Sequence, residues 1–314
     1  LVSAFRRLFV RTVFAEPVDL SGKAMIVTGA GPGSLGFATA RILGSWGARV
    51  VVTTRSNTEA MVEELRTRLP DGAGDRLEGH ALDLANRDSV ERFTRWFLET
   101  HERLDVLINN AGVHLDLLSR WKEPRPASDG VETHWRVNYL GSAHLTHRLL
   151  PLLRETGAKT GDARVVNVGS QIYAKGSNED IPEPTRPYNS WNAYGNSKLA
   201  LMHMTSEIQR RFAESSNLQA YCLHPGSVFT RVADKGLEGT GVIEKVRSSL
   251  APIEAFFLKS PEEGAQTQLH CATRPGLRGD IYFTECQPTT TTNDARDAQV
   301  AARLWDHTLA WVCS

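Results

Sequence analysis

The stretch "AMIVTGAGPGSLGFATARILGSWG", Ala24 to Gly47, decides the fold. A short apolar run comes first, then four glycines (Gly29, Gly31, Gly33, Gly36), then apolar residues at helical spacing. Strand, glycine-rich turn and helix in that order make an anion site. The helix N-terminus offers unpaired N–H groups and the positive end of its dipole, and glycines let the backbone come close to a phosphate. "GPGSLG", Gly31 to Gly36, matches G-x-G-x-x-G. The match gains weight from its place at the head of an alternating series.

Working outward, "ARVVVTT", "RLEGHALDL", "LDVLINNAG", "ARVVNVGS" and "LQAYCLHPG" read as further buried strands. Helical stretches separate them; in "RDSVERFTRWFLETHE", Val90, Phe93, Phe97 and Leu98 are expected to make one face. A helix near "SPEEGAQTQLHCAT" and a seventh strand at "GDIYFT" complete the pattern. The expectation is α/β: a doubly wound, parallel, seven-stranded sheet of the Rossmann type in a single domain over residues 20–314, preceded by an arm, 1–19. Loops at 114–130, 171–191 and 227–260 interrupt the rhythm. The first two directly follow strands, where such sheets bind ligands, so they are candidate substrate loops.

Composition narrows the function. The chain has 314 residues, 41% hydrophobic and 23% charged, and its 36 basic and 36 acidic residues cancel. Nothing in that balance favours nucleic acid. Cys222, Cys271, Cys286 and Cys313 form no C-x-x-C pair, which suits free thiols in a reducing, cytoplasmic setting and suggests no metal site. The arm is basic and amphipathic, with Arg6, Arg7 and Arg11 among apolar residues. It is too interrupted to span a bilayer or to read as a signal peptide. Packing on its own domain is the plainer expectation, and peripheral membrane contact through residues 1–15 is the alternative.

At the end of the second strand an acid would favour NAD and an arginine NADP. "VVVTTRS" has no acid there, and offers Thr54 and Arg55. A guanidinium fork suits a 2′-phosphate, so NADP(H) is the expected cofactor. In "YGNSK", Tyr194 and Lys198 stand at i and i+4, on one helical face. A nearby ammonium is expected to pull the phenol down from its free value of about 10 toward working pH. The phenol could then exchange a proton with a carbonyl or alcohol oxygen. Ser170 closes a strand and could hold the same oxygen; Asn138 in "RVNYLG" could anchor a water.

These residues together resemble the short-chain dehydrogenase/reductase family over roughly Leu20 to Thr284, and within it the retinol-dehydrogenase-like branch. The resemblance implies a catalytic tetrad of Asn138, Ser170, Tyr194 and Lys198. It implies that Lys198 and Tyr194 also meet the cofactor and that Asp83 and Leu84 flank the adenine. "NNAG" (Asn109, Asn110, Ala111, Gly112) would line the cofactor and brace the central strand, while Pro225, Gly226, Val228 and Thr230 would meet the nicotinamide end. With the loop glycines, Ser34 and Leu35 join the cofactor set. The family loop is T-G-x-x-x-G-x-G. Here Gly36 falls one residue late, closer to the ketoreductase domain of fungal-type fatty acid synthases. Gly169 replaces a frequent serine, and the loop between Ser170 and Tyr194 is enlarged.

Val228, Phe229, Val242, Ile243, Leu250, Phe256 and Phe257, with Trp121, Tyr173 and Trp191, suggest an apolar pocket for a lipophilic aldehyde, ketone or alcohol; ordinary core or a dimer face is the alternative. The resemblance also makes 227–260 a substrate loop, and it allows a homodimer. His114 reads as a loop histidine, with a place facing the pocket as the alternative. Arg120, Lys122 and Arg125 read as a solvated loop. Carbonyl/alcohol oxidoreduction is the expected activity. A catalytically silent cofactor-sensing or scaffold protein and a C=C reductase resembling protochlorophyllide reductases are the alternatives.

Overall fold

The structure, a computed structural model, describes residues 13–228 and 259–314. An eight-stranded sheet runs in the order β3-β2-β1-β4-β5-β6-β7-β8. Its strands are β1 (Ala24–Thr28), β2 (Arg49–Thr54), β3 (Leu77–Ala81), β4 (Val106–Asn109), β5 (Ala163–Val168), β6 (Leu218–His224), β7 (Tyr282–Thr284) and β8 (Gln287–Thr289). Neighbours from β3 to β7 pair in parallel. The seven-stranded expectation is corrected by β8, which folds back antiparallel on β7 with Thr284 opposite Gln287. A hairpin needs only a tight turn, and Glu285 and Cys286 take positive φ to make it. Three exposed polar or proline residues carry no hydrophobic pattern by which to predict that strand.

Helices cover both faces. α1 (Leu35–Ser45), α2 (Thr58–Arg66) and α6 (Pro261–Thr273) pack one core, through residues such as Leu43, Leu65 and Leu269. α3 (Arg87–Thr100), α4 (Ser142–Thr160), α5 (Ser190–Ser216) and α7 (Ala298–Cys313) pack the other, through Phe93, Leu149, Ile208 and Leu304. This double cover explains why β1, β4 and β5 are buried along their whole length and are mostly apolar. α6 starts on a capping box, with Ser260 and Glu263 satisfying each other's backbone N–H groups.

Two details depart from expectation. On α3 the buried stripe is Val90, Phe93, Thr94 and Phe97, and Leu98 is 45% exposed. Thr94 joins the stripe because its hydroxyl is satisfied by the Val90 carbonyl. A π-helical turn, Trp135–Gly141, stands where helical periodicity by itself gives an ordinary first turn, and it runs into α4. Such turns are frequent at functional sites, and this one carries Asn138. No helix among the described residues is long and apolar enough to cross a membrane.

Candidate active site

β1 lies between β2 and β4, so the chain reverses direction across the sheet there. Ligands in such sheets bind at the carboxyl ends of the strands flanking this reversal. Thr28 ends β1, and its buried hydroxyl accepts from the N–H groups of Asn110 and Ala111, both at 3.0 Å, while reaching the Ile108 carbonyl. The Asn110 side chain donates to the Thr28 carbonyl at 2.7 Å. One threonine therefore ties the glycine loop to "NNAG". The sequence reading did not single it out, although it immediately precedes Gly29.

The four loop glycines divide into two pairs. A Cβ on Gly29 would stand 2.9 Å from the Ala111 Cα, and one on Gly36 2.6 Å from the Asn110 side-chain nitrogen and 2.7 Å from the Gly29 carbonyl. These two are required by close packing. A Cβ on Gly31 or Gly33 would meet nothing within 4 Å. The late glycine thus serves the packing of α1 against the loop, and the pair before it faces open space. Ser34 caps α1 by accepting from Phe37 N–H and closes the loop by donating to the Gly29 carbonyl. Leu35 and Gly36, first in the helix, have no intrahelical acceptor for their N–H groups. Open glycines beside free donors fit a pyrophosphate.

Around this loop the expected cofactor residues fall into place unequally. Arg55 is exposed beyond β2 and has no ion pair or hydrogen bond among the described residues. The Thr54 hydroxyl is already used on the Ser56 carbonyl at 2.7 Å. Asp83 is half-buried and accepts from the Ala85 N–H, and Leu84 is buried in the core. Asn109 points into the sheet's packing, donating to Thr146 and Asn167 at 2.9 Å each; it braces the strand. Val228 packs beside Leu35 and Gly264, and Gly226 against the Lys259 side chain; Pro225 is half-buried. Thr230, the apolar residues from Phe229 to Phe257, and the arm's Arg6, Arg7 and Arg11 lie outside the described residues.

The tetrad candidates converge from three elements. Asn138, on the π-helical turn, pairs with the backbone of Val113, accepting from its N–H at 2.7 Å and donating to its carbonyl at 3.0 Å. Its amide also donates to Ser197 at 3.1 Å, whose hydroxyl in turn donates to the Tyr194 carbonyl. Ser170 follows β5 and caps a short 3₁₀ turn, accepting from Ile172 N–H. Tyr194 and Lys198 sit on α5, and the lysine Nζ lies 5.7 Å from the phenol ring centre. A Cβ on Gly112 would come within 3.2 Å of both the Asn138 Oδ1 and the Lys198 Nζ. A side chain at this position would crowd both groups.

The electrostatics correct one expectation. Burial pushes the Tyr194 phenol up rather than down, and the neighbouring Ser170 hydroxyl opposes it. Lys198 donates to the Val168 carbonyl at 2.9 Å, and burial pushes its ammonium down to about 8. Burial therefore lowers the lysine's affinity for its proton, and its Nζ is directed to a backbone oxygen rather than to the phenol oxygen.

The enlarged loops build an aromatic wall. Trp191 donates to the Leu117 carbonyl at 3.2 Å, and Trp121 lies 5.8 Å from the His134 ring. His114 is not a solvated loop histidine: it is buried and stacked against Tyr194. Tyr173 is corrected from pocket to core, edge-on to Tyr282 and 7% exposed. Its hydroxyl accepts from Thr292 N–H, a contact across the chain that no local pattern announces. Arg125 packs its guanidinium over Trp121.

Residues 23–239 match the short chain dehydrogenase family. The chain is 34% identical to human retinol dehydrogenase 11 over 96% of its own length and 89% of that protein's. Among solved structures, an uncharacterised protein from Mycobacterium paratuberculosis superposes with a TM-score of 0.70 at 29% identity, covering 97% of this chain and 98% of that one. The RhlG/NADP active-site complex of Pseudomonas aeruginosa superposes with a TM-score of 0.63 at 25% identity, covering 86% of this chain and 97% of that one.

Proposed function

The chain belongs to the short-chain dehydrogenase family, and on that premise we propose that it is an NADP(H)-dependent oxidoreductase interconverting a carbonyl and an alcohol on a lipophilic substrate. The observation that carries the reading is the convergence of Ser170, Tyr194 and Lys198 beside the glycine loop, with Gly112 admitting Lys198 and Asn138 to one point. The cofactor, when bound, supplies or accepts the hydride. The chain's own residues do the rest. Tyr194 gives a proton to the substrate oxygen in reduction and takes it back in oxidation. Ser170 holds that oxygen against the phenol. Lys198, its Nζ anchored on the Val168 carbonyl and 5.7 Å from the phenol ring centre, would bind the cofactor's ribose. Asn138 keeps the Val113 and Ser197 neighbourhood rigid.

NADP(H) is favoured over NAD(H) by Arg55, which is exposed at the end of β2 with its donors uncommitted among the described residues. The relatives named as retinol dehydrogenases and the aromatic loop residues Trp121 and Trp191 support a lipophilic substrate. Three buried free cysteines and one exposed suit a reducing compartment, the cytoplasm in this reading. Incubating the purified protein with NADPH and a panel of lipophilic aldehydes and ketones tests the proposal. Oxidation of NADPH that depends on the carbonyl compound supports it; tight NADPH binding without turnover of any carbonyl or alcohol would overturn it.

A further inference from the structure

The imidazole of His114 lies nearly flat on the phenol ring of Tyr194, with centroids 4.4 Å apart and planes 11° from parallel. The residue is 5% exposed, and its Nε2 has no hydrogen-bond partner among the described residues. A buried polar nitrogen left unpaired loses its hydration and gains nothing in return, so its retention calls for a cause. Burial, with the neighbouring His134, pushes the imidazole down to about 4. At neutral pH the ring is therefore uncharged, with one N–H and one lone pair.

Its surroundings hold the ring without using that nitrogen. His134 Nε2 accepts from the N–H of Leu115, the residue after His114, at 3.1 Å. That leaves His134 Nδ1 to carry the proton and donate to Glu132 at 2.8 Å. Glu132 is fixed in turn by Trp135 N–H and the Tyr188 hydroxyl. On another side, the Trp191 indole stands perpendicular to His114 at 4.6 Å. A hydrogen-bonded chain and two aromatic rings thus position an imidazole whose Nε2 is left over, beside the phenol assigned to the reacting oxygen.

We propose that His114 is a substrate-recognising residue whose Nε2 hydrogen-bonds a second oxygen on the substrate, one or two carbons from the reacting carbonyl. The inference rests on the carbonyl/alcohol reading and sharpens its substrate class. A ring stacked on Tyr194 places its nitrogens within about one ring's breadth of the phenol, so the second oxygen must be close to the first. The favoured substrates are lipophilic α-hydroxy carbonyls or diketones rather than plain hydrocarbon carbonyls. Neutral imidazole can donate to a carbonyl or accept from a hydroxyl, which admits both.

The test compares 2,3-octanedione with 2-octanone, using NADPH, in the wild type, His114→Phe and His114→Gln. Phenylalanine keeps a flat ring against Tyr194 and removes the nitrogen; glutamine restores a polar group at a similar reach. The readout is the ratio of kcat/KM for the two substrates, which cancels the dione's intrinsic reactivity when wild type and variant are compared. The ratio is expected to fall about tenfold or more in His114→Phe and to recover in part in His114→Gln. A ratio that holds in His114→Phe, with both substrates falling together, would assign His114 a purely structural role and overturn the inference while leaving the carbonyl reading intact. Failure of the wild type to reduce either compound or any other carbonyl would remove both.

Discussion

Lys198 Nζ donates to the main-chain carbonyl of Val168 at 2.9 Å, which ties α5 to the last residue of β5. Ser170 stands two residues beyond that carbonyl, and Tyr194 one helical turn before the lysine. That hydrogen bond, with the Ser170 hydroxyl beside the phenol, holds together the two groups proposed to hold the substrate oxygen. It also keeps an ammonium where solvent barely reaches, at 4% exposure.

That burial has a measurable cost. The ammonium falls from the usual 10.5 to about 8. Between these values the unfolded chain binds more protons than the folded one, so stability rises with pH across that window; below about 8 the full penalty applies. Lys198→Met is therefore expected to be more stable than wild type at pH 7, by up to about 3 kcal/mol less the lost bond to Val168. The advantage should fade between pH 8 and 10.5, while turnover is lost. Thermal melts at pH 7 and pH 10 check the sign; a variant less stable at pH 7 would contradict it.

Tyr194→Phe removes the proposed acid/base and little else, because the phenol ring and its stacking on His114 remain. Turnover should drop by about 10²–10⁴-fold, with the NADPH dissociation constant within about threefold of wild type. Steady-state kinetics beside a fluorescence titration separate the two quantities. Retained turnover would remove Tyr194 from the mechanism.

In the proposed function Arg55 meets the cofactor's 2′-phosphate. A charge-assisted contact of this kind is worth about 1.5–3 kcal/mol. Arg55→Ala should therefore weaken NADPH binding by roughly ten- to a hundredfold and leave NADH binding nearly unchanged. Equal weakening of both cofactors would point to a general loop defect instead.

The division of the glycine loop predicts opposite outcomes for two similar changes. Gly36→Ala places a methyl group 2.6 Å from the Asn110 nitrogen and 2.7 Å from the Gly29 carbonyl, an overpacking worth about 1–3 kcal/mol. Gly31→Ala meets nothing within 4 Å and should leave the melting temperature unaltered. Differential scanning fluorimetry of the two variants without cofactor is sufficient; equal melting temperatures would refute the division.

Asp180 organises the enlarged loop. Its carboxylate accepts from the Thr185 and Arg186 N–H groups, the Thr185 hydroxyl and the Arg186 guanidinium. Despite the cost of its burial, these partners hold the carboxyl down at about 2. Its stabilising contribution is present above pH 4 and is lost as pH falls through 2. Asp180→Asn should cost about 1–2 kcal/mol at pH 7 and flatten the acid limb of the stability curve. Urea melts between pH 7 and pH 2.5 would show both.

The order of strands and helices, the glycine loop and the tetrad candidates were legible because each is written locally. Periodicity marks β1 to β7, the turn chemistry marks Gly29 to Gly36, and the i, i+4 spacing puts Tyr194 and Lys198 on one face of α5. The signal faded where local pattern and final environment diverge. Leu98 looks like part of the α3 stripe, but Thr94 occupies the buried side by satisfying its hydroxyl within the helix. Tyr173 looks like a pocket residue until Tyr282 and Thr292 arrive from far along the chain.

By itself the sequence determined the fold class and the chemical inventory, since alternating hydrophobic periods admit few topologies. Tertiary structure alone decided how the inventory is used. It set Lys198 on Val168, packed Gly36 against Asn110, paired β8 with β7 and laid His114 on Tyr194. Each of these joins segments whose approach depends on packing and on burial of polar groups. Those are properties of the assembled core, and a one-dimensional pattern does not carry them.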